Sequence, residues 1–187
     1  MAKSTEDRGW KRRARACGFL LLLLVAIPLL EACRVSGAHP SDAAMAREFS
    51  ERRRSFDALL QMVRQETRVT RVAPDFIWID GARNVAEADR ARYLPDARLA
   101  RYRKLFRALD LGSGVVRRHD GSVGFLRSSS GIVPSGSGKE FLWAPGFRGP
   151  AIGASDPRSV EALCVPSSGC TSARRLAPDW YLVFESS

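Results

Sequence analysis

Histidine is nearly missing from the chain: His39 and His119 are the two in 187 residues. Neither stands at metal-ligand spacing from a cysteine pair, which excludes a recognisable zinc site. Lysine is scarce as well. Lys3, Lys11, Lys104 and Lys139 are the four, and every other basic residue is Arg. Such a skew is common where codon composition favours Arg, and it needs no ligand. No Gly-x-Ser-x-Gly elbow surrounds Ser128, Ser129 and Ser130, so hydrolysis by a nucleophile-elbow serine is excluded. Gly136-Ser137-Gly138-Lys139 lacks the phosphate-loop frame. Val133 stands where the first glycine belongs, and Glu140 follows the Lys where Mg²⁺ requires Ser or Thr. Glu140-Phe-Leu-Trp also reads as a strand, where the phosphate cradle requires a helix. No catalytic constellation and no cofactor motif remain, so the chain reads as non-enzymatic.

What is present begins at the N-terminus. Residues 1–16 carry six basic side chains against Glu6 and Asp7, and an apolar run from Cys17 to Leu30 follows. That is the layout of a secretory signal. As a helix, the run rises roughly 21 Å against a hydrocarbon core of about 30 Å, short for a permanent span. Leu30-Glu31-Ala32-Cys33 comes next. It resembles the lipobox of bacterial lipoproteins, with Glu31 where a small residue is usual. The resemblance implies removal of residues 1–32, lipidation of Cys33 and, with Arg34 rather than Asp following, an outer-membrane address on the periplasmic face. Two rivals stand beside it: an uncleaved N-terminal anchor, and cleavage after Ala38 to give a soluble secreted protein. All three place the remaining chain outside the cytoplasm.

The whole chain carries a formal charge of +10. Residues 1–32 hold six basic and three acidic side chains, which leaves 24 against 17, or +7, for the remainder. A positive balance favours anionic partners such as headgroups or envelope polyanions; an extracytoplasmic address disfavours nucleic acid. Of four cysteines, Cys17 leaves with the signal and Cys33 is lipidated or removed. Cys164 and Cys170 remain as an even pair in an oxidising compartment, which predicts a structural disulfide.

Residues 33–41 read as a tether and 42–187 as one domain. Ser41 is a candidate N-cap, and apolar periodicity through Met45, Phe49, Phe56, Leu59, Leu60 and Val63 predicts a helix over 42–66. Val69 to Asp80 predicts one strand at 75–79 after an extended lead-in, with Pro74 at its start or on an edge. Residues 84–109 predict a helix interrupted at Leu94-Pro95. Its second piece, 96–109, has an apolar stripe of Leu99, Tyr102, Leu105, Phe106 and Leu109. Arg98, Arg101, Lys104 and Arg107 form its exposed face, a candidate polyanion contact. Gly112 is the expected C′ residue. Val115-Val116, 122–127 and 140–143 predict short strands, the first two joined by a two-residue Asp120-Gly121 turn. Residues 145–178 predict a long irregular connection with a helical turn near 157–163. The chain closes on a strand with Trp180, Leu182 and Phe184 on one face and Tyr181 and Val183 on the other. The fold class is therefore α+β: N-terminal helices packed on a small antiparallel sheet, following the signal or anchor helix.

Asp120-Gly-Ser-Val-Gly-Phe125, Gly131 to Trp143 and Trp180-Tyr-Leu-Val-Phe-Glu185 resemble a group of small, uncharacterised bacterial envelope lipoproteins. In these a Ser-Gly-Ser-x-Lys-x-aromatic strand precedes a final Trp-Tyr-Leu strand. The resemblance spans about residues 42–187 and implies location and fold, not a mechanism; the Cys164–Cys170 segment departs from the group's pattern. The leading functional expectation is contact with an envelope protein or polymer. A second is an inhibitor-type module, similar to periplasmic lysozyme inhibitors, in which an exposed loop Pro134–Lys139 enters an acidic cleft and Lys139 pairs with a carboxylate.

Overall fold

The computed structural model describes residues 39–187 except 82–84, 133–134 and 165–168. The signal, Cys33 and the Ala38 cleavage site lie outside the described residues. Within His39–Ser187, which forms one compact unit, three helices and an eight-stranded sheet follow one another.

Helix α1, Asp42–Gln65, starts where the sequence predicts: Ser41 Oγ accepts from the Ala44 N–H at 3.2 Å, and Asp42 places a carboxylate in the first turn, where the helix dipole favours it. Its buried stripe is Met45, Phe49, Phe56, Leu59, Leu60, Met62 and Val63. Residues 69–79 form a hairpin instead of one strand, with β1 at Val69–Val72 and β2 at Ile77–Ile79. Pro74 and Asp75 occupy its turn, because proline presets the φ a turn needs and has no N–H to give a ladder. Helices α2, Glu87–Tyr93, and α3, Asp96–Leu109, flank Leu94-Pro95. The left-handed residue ending α3 is Asp110 (φ 51°), not Gly112; Asp tolerates this region better than most residues.

Strands β3, Val115–Arg117, and β4, Val123–Ile132, are joined by the five residues 118–122, not the expected two-residue turn. The Arg118 N–H bonds Ser122 O, the Gly121 N–H bonds Arg118 O, and Gly121 takes φ 83°. This is a turn closed by a glycine bulge. Strand β5, Ser135–Trp143, takes in most of the segment expected to be an exposed loop. The stretch expected to be irregular holds β6, Ala151–Ile152, a short 3₁₀ turn at Glu161–Leu163, and β7, Cys170–Ala177. Strand β8, Trp180–Ser186, completes the order β2-β1-β3-β4-β5-β8-β7-β6. Every neighbouring pair is antiparallel except β6 with β7. The sheet is thus larger than expected, and mixed. The Cys164–Cys170 disulfide is closed, with Cα atoms 5.6 Å apart.

Strand alternation divides the side chains between two faces. Val123, Phe125, Phe141, Trp180, Leu182 and Phe184 join the helix stripes in the main core. Phe56 sits 4.6 Å from Phe141, and Phe49 sits 5.1 Å from Trp180, between ring centroids. Leu142, Ala144, Ala173, Tyr181 and Val183 form a second cluster on the opposite face, covered by Phe147. Among the described residues no helical side chain joins it. Nor, among them, is any helix long and apolar enough to cross a membrane.

Candidate functional site

Lys139 and Glu140 are consecutive on β5, so they project to opposite faces of the sheet. Both are buried. They define two polar centres, one beneath the helices and one on the helix-free face.

On the helix side, Lys139 lies in phase with Phe141, and its side chain is fully buried. Its Nζ donates to Pro40 O at 2.7 Å, Asp42 Oδ1 at 2.7 Å and Glu161 Oε1 at 2.5 Å. Three acceptors satisfy an ammonium completely. Asp42 Oδ2 accepts from the Val160 N–H at 3.0 Å and from Arg174 Nε at 2.9 Å. Arg174 Nη1 donates to the carbonyls of Gly153, Ala154 and Asp156, and its Nη2 to that of Arg158. Burial pushes the Asp42 carboxyl up, but the hydrogen bonds from Lys139 and Arg174 outweigh it and hold the group below its ordinary value. This cluster ties the first turn of α1 to the sheet and to the 153–161 loop. The expected exposed contact at Lys139 is therefore corrected: the ammonium is used inside the fold, and an inserting loop has no free charge there.

His39, expected in a tether, packs edge-on to Phe184 at 5.4 Å. Nδ1 lies 2.8 Å from Ser128 Oγ, and Nε2 lies 2.8 Å from Ser137 Oγ. Burial lowers its pKa from the ordinary 6.5, with Glu161 opposing the shift and Lys139 adding to it. Both ring nitrogens face serine hydroxyls, so a neutral imidazole with one donor and one acceptor fits.

On the helix-free face, the Glu140 side chain is 5% exposed. Its Oε1 accepts from Arg118 Nη2 at 2.6 Å, and Glu185 Oε1 lies 3.5 Å from the same nitrogen. Glu140 Oε2 and Arg118 Nη1 are buried with no hydrogen-bond partner. Desolvation lifts the Glu140 carboxyl to about 7 despite the attraction of Arg118. Gly124 makes room for the pair: a Cβ there would meet Oε2 at 2.3 Å and Nη1 at 3.0 Å. Arg118, Glu140, Glu185, Arg71, Leu126 and Ser129 are among the residues lining a cavity of about 150 Å³. Arg71, opposite Trp78 in the hairpin, places its guanidinium 4.9 Å from the Trp78 ring and 5.2 Å from that of Phe76.

The other predicted contacts are apart from both centres. Arg98 is held between helices, donating to Glu66 Oε1 and Gln65 Oε1 at 2.8 Å each and to Met62 O at 3.2 Å; it locks α3 to α1 and does not join an open stripe. Arg101, Lys104 and Arg107 are exposed on α3. Among the described residues no group of three or more His, Cys, Asp or Glu could hold a metal ion. Sequence reasoning missed Asp42, Arg174, Arg118 and the buried role of Glu140. The one legible signal was Lys139 in phase with Phe141, since a charge on a core-facing strand position demands a partner. Comparison of the chain with protein-family models, curated proteins and solved structures finds no match.

Proposed function

We propose that the chain is a non-enzymatic cell-envelope lipoprotein, attached through Cys33 to the periplasmic face of the outer membrane, whose folded domain binds an envelope component. The observation that carries this reading is the division of the cysteines. Cys17 opens the N-terminal apolar run and Cys33 follows it, and the other two close a disulfide inside the domain, as expected in an oxidising compartment. The similarity of the Leu30–Cys33 and Gly131–Trp143 segments to envelope lipoproteins supports it. Six residue steps separate Cys33 from His39, a reach of at most about 20 Å, so a lipid on Cys33 keeps the domain near its membrane. Mass spectrometry of the membrane-extracted chain tests the reading. A diacylglyceryl Cys33 as first residue is the expected result; an intact Met1–Ala32 segment contradicts it.

A second reading is favoured by the His39–Ser128 contact, which pairs a base with a hydroxyl as nucleophilic catalysis requires. Against it, Ser137 occupies the other ring nitrogen, where an orienting carboxylate belongs. Labelling of Ser128 by a fluorophosphonate, abolished in His39→Ala, would establish that reading; no labelling would remove it.

A further inference from the structure

We infer that the helix-free face of the sheet binds an uncharged glycan bearing acetamido groups, with the Arg118–Glu140 pair as its amide-reading element. The inference deepens the binding-module reading but does not need the lipid on Cys33.

Three observations meet on this face. The first is the pair itself. Glu140 Oε2 is an acceptor and Arg118 Nη1 a donor, both buried and neither with a partner, held together over Gly124. Native folds rarely leave such atoms unsatisfied. A secondary amide presents the complementary set, an N–H and a C=O on adjoining atoms. The second observation is the charge balance. Arg71 and Arg118 stand against Glu140 and Glu185 around the same cavity of about 150 Å³; Lys139 also lines it, but its ammonium is spent on Asp42 and Glu161. Above about pH 7, where Glu140 is ionised, a free carboxylate entering it meets two glutamates and an amine meets two arginines, so a neutral group is favoured. The third is what lies on either side. Toward β2, Phe76 and Trp78 stack at 6.1 Å with an interplanar angle of 29°, and Trp78 Nε1 is a further buried donor with no partner. Toward β7, the cavity shares Ser129, Gly138 and Glu185 with an open depression of about 530 Å³ that Thr171 and Ser187 also line. Hydroxyls and glycine backbone there suit sugar hydroxyls.

Tryptophan fluorescence of the detergent-extracted full chain, titrated with a tetramer of N-acetylglucosamine, tests the site. The deacetylated glucosamine tetramer and the glucose tetramer are the comparison ligands. The acetylated tetramer should bind at least about tenfold more tightly than either, the loss expected when a hydrogen bond to a charged group is removed. Gly138→Val should abolish binding with the fold retained, because a Cβ at Gly138 meets Ser128 O at an ordinary 3.7 Å while the larger side chain fills the cavity. Glu140→Gln should weaken binding. Equal response to the three tetramers, no response, or full binding by Gly138→Val overturns the inference. The mass of Cys33 is unaffected by any of these outcomes, so failure of the site and failure of the lipoprotein reading are separately visible.

Discussion

Lys139 and Glu140 are neighbours in sequence, both buried and of opposite charge type, yet the fold treats them differently. Lys139 has three acceptors, and its partner Asp42 is in turn satisfied by Val160 and Arg174. Glu140 has one donor, and the pair it forms leaves an atom unpartnered on each side. A buried polar network that is complete rigidifies the fold; one that is half complete is a liability unless something else completes it. The difference separates a structural centre beneath the helices from a candidate binding centre on the open face.

The strongest way to break this contrast is Asp42→Ala. It strips a carboxylate shared by two buried cations, and removing one partner of a buried ion pair typically costs about 3–5 kcal/mol. Thermal denaturation should show a loss of that order, with the Glu140 face unaltered in the surviving folded fraction. A loss below about 1 kcal/mol would mean the helix-side cluster is not structural.

Glu140→Gln should act in the other direction. The folded-state pKa of about 7 lies above the ordinary 4.5, so the folded chain holds a proton that the unfolded chain has released between these values. Stability contributed by this group is therefore present below about pH 4.5 and is lost as pH rises through 7. At pH 8 the glutamine variant should be more stable than the parent by roughly 3 kcal/mol, and the two should converge toward pH 4.5. Urea denaturation across that range reads the difference; a constant offset would contradict the assignment.

His39 gives the smallest effect and the opposite slope. Its pKa is lowered on folding, so its contribution is present above the ordinary 6.5 and declines as pH falls below it. His39→Gln keeps hydrogen-bonding capacity for Ser128 and Ser137 without titrating. It should remove that acid-side decline while changing stability at pH 8 by about 1 kcal/mol or less. An acid-side decline that persists in the variant would place its source elsewhere.

Much of the fold is legible from periodicity. The α1 and α3 stripes, the break at Leu94-Pro95, the Cys164–Cys170 disulfide and the face assignment of Trp180 to Phe184 all follow from local pattern. Strand β7 does not, because Thr171-Ser-Ala-Arg-Arg175 has little β preference of its own and is a strand through pairing with β8. The hairpin at Pro74 was hidden by a β-rich run continuous in composition. The polar centres were illegible for a different reason. Lys139 meets Asp42 across 97 residues and Asp42 meets Arg174 across 132, and no local pattern encodes pairings at that range. Glu140 and Arg118 are 22 apart, but their meeting depends on the register of β4 with β5 and on the missing side chain at Gly124.

The contrast between the two centres rests most directly on the protonation of Glu140. A pH titration of its side-chain carboxyl carbon by NMR, in the full chain with ¹³C-labelled glutamate and Glu140→Gln for assignment, reads it directly. A midpoint of about 7 is expected; a midpoint near the ordinary 4.5 would mean that the carboxyl is solvated or fully paired, and the distinction between the two faces would fall.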